Sequence, residues 1–146
     1  MQISSRFTVA LHIFECVDHF SATQKVTSDF LAGSIGTNAV IIRKILGQLQ
    51  KADLLTVARG TGGITVNRPL KDITFFDVYK AVDAVESGDL FRFHENPSPA
   101  CPVGGNIHTL LDGKLDAIQT AMENQMREYT LADISEELKT ILEERA

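Results

Sequence analysis

Residues 26–67, VTSDFLAGSIGTNAVIIRKILGQLQKADLLTVARGTGGITVN, decide the fold of this chain. Thr27 is a good N-cap for a short helix, and Gly36 supplies the turn after it, because a positive φ is cheap for glycine alone. Thr37 is then predicted to cap a second helix, and two short β-prone runs joined by a glycine-rich turn come next. Helix, turn, helix and two-stranded wing is the order typical of a winged-helix DNA-binding domain.

The second of these helices is predicted over residues 38–52. If its aliphatic residues face the core, the step of about 100° per residue turns small, polar and cationic side chains to the outside. Those aliphatic residues are Ile42, Ile45, Leu46 and Leu49. The residues expected to contact DNA at or along this helix are Thr37, Asn38, Val40, Arg43, Lys44 and Lys51.

The polar and cationic residues of the outer face have two kinds of expected role, contact with bases and contact with the phosphate backbone. Arg43 is suited either to fork onto guanine O6 and N7 or to clamp a phosphate, and Asn38 to pair with adenine. Lys44 and Lys51 are better placed as backbone clamps. The alternative is an amphipathic helix whose cations merely face water, but the preceding helix, the turn and the wing favour the DNA reader.

The wing is predicted as strands at 54–59 and 64–67, with Arg59, Gly60, Thr61 and Gly62 as DNA contacts. The glycines allow a tight turn and a close backbone approach, and Arg59 can then reach a minor groove or a phosphate. A plain hairpin turn is the alternative. A nucleotide-binding loop is excluded, because no Gly-x-x-x-x-Gly-Lys-Ser/Thr pattern opens a helix here.

Around this segment the pattern is mainly helical. A first helix starts after Ser4 or Ser5 and ends near residues 19–21, and Thr74 caps another helix. Proline and glycine break the periodicity at 87–106, a long helix covers about 107–128, and Thr130 caps a last helix. The predicted fold is therefore mainly α with a small β-hairpin: a winged helix-turn-helix domain (1–84), a regulatory loop (85–106), and a dimerisation helix with a C-terminal helix (107–146).

The long helix keeps an apolar face for roughly six turns. Such a stripe is buried either against a second subunit or against the first helix, and the dimer is favoured. The residues expected at the dimer contact are Ile107, Leu110, Leu111, Leu115, Ile118 and Met122.

The charge is divided unevenly between the two halves. The whole chain of 146 residues has a net charge of −5. Residues 1–68 hold seven Lys/Arg against four Asp/Glu, a net of +3, and residues 69–146 hold seven against fifteen, a net of −8. Local charge sets the field at a phosphate backbone, so the split supports a DNA-binding head on an acidic arm.

Composition and cysteine count exclude several classes. With 44% hydrophobic and 23% charged residues the composition is that of an ordinary globular protein, and no apolar run is long enough to cross a membrane. No signal-peptide pattern opens the chain, so a cytoplasmic location is expected. Two cysteines, Cys16 and Cys101, cannot form a disulfide framework or a four-cysteine metal site. No nucleophile and base pattern suggests an enzyme.

The chain resembles the Rrf2 family of bacterial transcription regulators. The motifs that carry the resemblance are Ser5–Ile13, Ile35–Asn38 with Ile42–Lys44, Leu46–Ala52, the wing turn Arg59–Gly63, and Ile73–Val82. The segment Asn96–His108 resembles the subgroup with an Asn-Pro…Cys-Pro-Val-Gly loop. The resemblance implies a homodimeric, cytoplasmic protein that binds a dyad-symmetric DNA operator as a repressor or activator, with repression favoured and the long helix crossed between subunits.

The loop departs from the cluster-binding members of that family, in which three cysteines hold iron. Cys101 is the single cysteine between 86 and 106, so neither an iron–sulphur cluster nor another cofactor or metal is expected. Cys101 is instead a candidate thiol sensor, because a thiol near a helix start can have a lowered pKa. The alternative is an ordinary small side chain. A second functional class also stays open, a winged-helix interaction module that binds a metabolic enzyme or another protein.

Overall fold

The computed structural model describes residues 3–85 and 88–146. These ranges fold as the predicted mainly helical protein with one small antiparallel hairpin. The helices are α1 (Arg6–Phe20), α2 (Ser28–Ile35), α3 (Ala39–Lys51), α4 (Phe75–Ala81), α5 (Ile107–Glu128) and α6 (Leu131–Arg145). The strands are β1 (Leu55–Val57) and β2 (Ile64–Val66). Short 3₁₀ turns at Leu70–Asp72 and Gly104–Asn106 precede α4 and α5.

Threonine caps start three of the helices, as predicted. The Thr27 hydroxyl accepts the amide three residues ahead at 3.2 Å. Thr74 and Thr130 form reciprocal capping boxes, with Asp77 and Asp133 respectively. Each cap satisfies backbone donors that the first turn of a helix leaves unpaired. At α1 the N-cap position is Ser5, whose side chain makes no capping hydrogen bond, and the hydroxyl of the preceding Ser4 accepts the amide of Arg6 at 3.2 Å.

The predicted Thr37 cap of α3 is wrong, and Asn38 takes that position. Gly36 has φ 81° and ψ 31°, and the amide of Thr37 still donates to Ala32 O at 3.3 Å. Thr37 therefore closes α2 instead of opening α3. Asn38 adopts the extended N-cap conformation, and its Oδ1 accepts the amide of Ile41 at 2.9 Å.

The wing strands are shorter than predicted because the turn uses more residues. Leu55–Val57 pairs antiparallel with Ile64–Val66. Beyond them the amide of Ala58 donates to Gly63 O at 2.8 Å, and that of Gly62 donates to Ala58 O at 3.0 Å. The wing is thus a compact hairpin with a six-residue tip, 58–63.

The last helix shares the core of the winged unit. Leu131 is fully buried, and α6 packs on α1, where the Ser135 hydroxyl donates to the Glu15 carboxylate at 2.9 and 3.0 Å. A short β-bridge between Thr74 and Thr130 fixes the start of α6 beside the start of α4. The division at 84 and 106 stays a prediction, and this packing joins both ends of the chain in one core.

Helix α5 packs against α4, so the alternative of packing on the first helix is wrong. Its 22 residues span about 33 Å. None of them is fully buried: Met122 and Met126 lie against the core, whereas Leu110 and Ile118 are 50% and 53% exposed. One edge of the apolar band therefore faces the domain and the other edge faces outward.

Among the described residues, no individual helix has the length and apolar character to cross a membrane. The sharply bent pair α2 and α3, at 112°, meets those criteria only when counted together.

Candidate nucleic-acid interface

Helix α3 presents the face that the sequence predicts. Its four aliphatic residues, Ile42, Ile45, Leu46 and Leu49, are 0–4% exposed, so they point into the core. Arg43, Lys44 and Lys51 are exposed on the other side. Val40 and Ile41, at the start of the helix, are 70% and 43% exposed. Exposed aliphatic groups at this end of a reading helix suit contact with thymine methyl groups.

Arg43 is held only loosely. Its Nη2 lies 3.9 Å from Asp29 Oδ1, and the two side chains are 57% and 85% exposed. An exposed ion pair of this length contributes about 0–1 kcal/mol. Exchanging Asp29 for a base edge or a phosphate therefore costs Arg43 little.

Asn38 has two competing tasks. Its Oδ1 accepts the amide that caps α3, whereas pairing with adenine in two hydrogen bonds requires both that oxygen and the side-chain nitrogen. The nitrogen takes no part in the cap. Asn38 is exposed, so a single donor contact from this nitrogen is compatible with the cap.

The tip of the wing carries Arg59, Gly60, Thr61 and Gly62 on an irregular turn. The two glycines have φ of 76° and 72°, a conformation that disfavours other residues. Arg59, Gly60 and Thr61 are all exposed. The turn is therefore shaped by glycine and presents one guanidinium at its apex.

Lys25 is a cation of this surface that sequence reasoning missed. A methyl group built on Gly63 would lie 3.8 Å from Lys25 Cγ, which places the lysine alongside the wing. Lys25 precedes the cap of α2 in an irregular segment, so no periodicity signals its position. The chain reversal before α2 is what brings it there.

A cleft of about 380 Å³ separates the start of α2, the middle of α3 and the wing. The amide of Val57 donates to Gln50 Oε1 at 3.2 Å, so one hydrogen bond ties the wing to α3 across the cleft edge. Helix and wing are thus held side by side, as two neighbouring grooves of a duplex require. The cleft is lined by Ser28, Arg43, Leu46, Gly47, Gln50, Val57 and Gly62.

The loop before α5 is built closely around Cys101. Methyl groups added at Gly104 and Gly105 would lie 2.8 Å from Ser98 O and 2.7 Å from Pro99 O, so only glycine fits at either position. This packing turns the amides of the 3₁₀ turn toward the sulfur. The N–H groups of Gly104 and Val103 hydrogen-bond to the thiol and lower the pKa of Cys101.

Cys16 and His108, the remaining cysteine and a histidine that follows Cys101 in the chain, have contacts of their own. Cys16 is buried on α1 with its Sγ 3.3 Å from Ser34 Oγ. His108 Nδ1 lies 3.0 Å from Asp112 Oδ1, and its ring packs on Phe93 with centroids 4.3 Å apart. Cys101 is an exposed free cysteine.

The chain is similar, in sequence and in structure, to proteins described as transcription regulators or DNA-binding proteins. The chain is 39% identical to "Putative HTH-type transcriptional regulator YwnA" of Bacillus subtilis (strain 168), over 93% of this chain and 98% of that protein. A solved "putative transcriptional regulator" from Lactobacillus plantarum is 29% identical, with TM-score 0.77, and the match covers 97% of this chain and 96% of that one. A solved "putative DNA binding protein" is 35% identical, with TM-score 0.71, covering 89% and 98%.

The family model that matches residues 3–137 carries the description "Iron-dependent Transcriptional regulator". The donor set does not fit an iron site. Cys16 is inside the core and Cys101 is in an exposed loop. Within 3–85 and 88–146, no three His, Cys, Asp or Glu side chains are grouped as a metal would need.

Fold, exposed cations and homology agree on one assignment. The match spans nearly the whole chain, and the relatives that share it are transcription regulators and not enzymes. The chain belongs to the Rrf2 family of DNA-binding transcription regulators.

Proposed function

We propose that the chain is a homodimeric repressor that binds a dyad-symmetric DNA operator in the bacterial cytoplasm. The observation that carries the proposal is the exposed outer face of α3 lying side by side with the wing tip across one cleft. Arg43, Lys44, Lys51 and Arg59 supply cations to it, and Val40 supplies an exposed apolar group. Cations provide affinity for any phosphate backbone, while side chains at the start of the helix discriminate bases.

The dimer is supported by the outer edge of α5. Leu110 and Ile118 lie on one face, two turns apart, and are half-exposed. Large exposed apolar groups in a row on a 22-residue helix favour a partner surface, and a second α5 offers the same surface by two-fold symmetry. In such a dimer the two α3 helices would enter major grooves about one helical turn or more apart.

The DNA proposal is tested by selecting duplexes from a random library with the purified protein, and then titrating the selected site. We expect an inverted repeat, with affinity that falls steeply with salt. A reporter whose promoter overlaps this site should be silenced by the protein. Failure to enrich any sequence would contradict DNA reading and favour the interaction module instead.

The dimer is tested by sedimentation of a Leu110→Glu/Ile118→Glu variant. Two buried carboxylates at the interface would be costly, so we expect a folded monomer with weakened operator binding. Thr120→Glu, which changes an exposed polar residue on the side of α5 away from Ile118, is the matched control and should remain dimeric. A double variant that stays dimeric would refute this interface.

We also propose that Cys101 makes operator binding responsive to oxidants. A thiolate there attacks the O–O bond of a peroxide, which yields a sulfenic acid and hydroxide. The sulfenic acid then condenses with the Cys101 thiol of the second protomer, forming a disulfide and releasing water. The exposed position and the two amide donors support this reactivity.

The thiol proposal is tested by titrating operator DNA before and after peroxide treatment. Wild type and the control Cys16→Ala should change affinity and recover with dithiothreitol, whereas Cys101→Ser should not respond. Equal responses of Cys101→Ser and wild type would remove Cys101 from the switch.

A further inference from the structure

A second cleft, of about 380 Å³, lies between α4 and α5. Its volume is within the range of small-molecule sites. Its walls combine aromatic, aliphatic and charged side chains. The lining residues are Phe76, Tyr79, Lys80, Asp83, Ala84, Val85, Gly88, Gln119, Glu123 and Arg127.

The cleft holds charges of both signs. The Arg127 guanidinium lies 3.8 Å from the centroid of the Phe76 ring, and Lys80 Nζ lies 5.8 Å from the same centroid. One turn before Arg127 on α5, the Glu123 carboxylate accepts Gln119 Nε2 at its Oε2, at 3.0 Å. The carboxylate of Glu123 thereby keeps one oxygen outside this hydrogen bond.

Tyr79 also lines the cleft and carries a buried polar group, its hydroxyl. Its ring stacks on that of Phe76, with centroids 6.2 Å apart. The residue is only 6% exposed, and its hydroxyl is buried with no hydrogen-bond partner among residues 3–85 and 88–146. A buried hydroxyl without a partner is unfavourable, and natural proteins seldom leave one unless a ligand or water completes it.

The floor of the cleft is linked to the reading helix. Asp83 and Ala84 line the cleft, and Val82 beside them accepts the Gln48 side-chain amide of α3 through its carbonyl, at 3.5 Å. Within the described part of the chain, Gln48 Oε1 is itself buried without a partner. The same Val82 carbonyl accepts Arg6 Nε at 3.0 Å, so a change at 82–84 would reach α3 through Gln48 and α1 through Arg6.

We propose that this cleft binds a small zwitterion of the α-amino acid type and that the bound ligand alters operator affinity. The ligand's carboxylate is bound at Lys80 and Arg127, its ammonium group is bound by Glu123, and its side chain lies along the edges of the stacked Phe76 and Tyr79 rings. Closure of α5 around it brings a polar group to the Tyr79 hydroxyl. The effect on operator affinity rests on the proposed DNA-binding function, whereas the site itself does not.

The site is tested without DNA. Each proteinogenic L-amino acid is screened with the full-length protein by thermal unfolding, and binders are measured by calorimetry, with propionate and propylamine as single-charge controls. We expect at least one amino acid to bind and raise the Tm, and each control to bind at least about tenfold more weakly, since it lacks one charge-assisted contact. No binding amino acid, or equal binding of propionate or propylamine, would overturn the proposed ligand class.

Variants locate the site. Glu123→Gln and Arg127→Gln should each weaken binding about tenfold or more, whereas Glu136→Gln and Lys139→Gln, exposed on α6, should bind as wild type does. Unchanged affinity in both cleft variants would place the ligand elsewhere.

Coupling is then measured with the selected operator. A saturating amino acid should change operator affinity about fivefold or more in wild type and not in Glu123→Gln. Ligand binding with no change in operator affinity would refute the coupling but leave the site. Loss of DNA binding under all conditions would instead refute the proposed function.

Discussion

Replacing Arg43 by alanine is the sharpest test of how α3 reads DNA. The guanidinium has only a 3.9 Å ion pair with Asp29 to give up, so nearly all of its contact energy is available to DNA. A base-reading arginine contributes about 1–3 kcal/mol per half-site. A dimer carries two copies, so the operator should lose about 2–6 kcal/mol, roughly 30-fold to 20,000-fold in affinity.

The assay is fluorescence anisotropy with the selected operator and with every single-base variant of one half-site. Loss of discrimination should be confined to one base pair, and the Tm should be unchanged because the side chain is exposed. Arg145→Ala removes an exposed arginine far along α6 and is the matched control. An equal loss on all sequences, with a reduced salt slope, would refute base reading and make Arg43 a phosphate clamp.

The ion pair itself gives an independent check of the same reasoning. At about 4 Å in water, two unit charges attract by about 1 kcal/mol. Asp29→Asn should therefore raise DNA affinity by about fivefold per subunit at most, and should have no effect in an Arg43→Ala background. A gain that persists without Arg43 would show that Asp29 repels DNA directly.

Three other perturbations follow from local chemistry. Gly104→Ala should push the loop away from Cys101 and return the thiol pKa toward its ordinary value. Alkylation of Cys101 by iodoacetamide at pH 7 should therefore slow. The control Gly113→Ala, with open space around that glycine, should not change this rate. Burial raises the pKa of Glu15 above its ordinary value of 4.5. The folded state therefore loses stability as the pH rises from 4.5 through the raised pKa. Glu15→Gln should stabilise the protein at pH 7, with the gain vanishing below about pH 4.5 in urea titrations. Tyr79→Phe should leave the free energy of unfolding unchanged or raise it by about 1 kcal/mol, because the lost hydroxyl has no partner in the described ranges of the chain. A clear loss of stability in the same titrations would reveal a further hydrogen bond.

Local chemistry explains why the helix starts and the inward face of α3 could be predicted. A threonine cap needs only the residues of one helical turn, and Thr27, Thr74 and Thr130 each supply it. The error at Thr37 has the same scale, since the left-handed Gly36 lets the chain use one more residue to close α2. The capping pattern in the sequence does not show that Thr37 still belongs to the end of α2.

Features made by distant segments could not be predicted in this way. The cleft between α4 and α5 depends on how residues far apart in the sequence meet, such as Phe76 and Gln119, which are 43 positions apart. Lys25 reaches the wing only through a chain reversal. The apolar stripe of α5 was predicted, but its division between Met122, which faces the core, and Ile118, which faces outward, depends on where α4 lies.

The burial of Leu131 among the residues of the winged unit limits how this protein can be taken apart. The backbone of that residue donates to Ile73 O at 2.9 Å, and its side chain fills the core beside α1. Deleting the chain from residue 130 onward would therefore expose the hydrophobic interior of the reading head. The winged unit and the C-terminal helix α6 share one core, so a chimaera between two relatives must take both termini from the same parent.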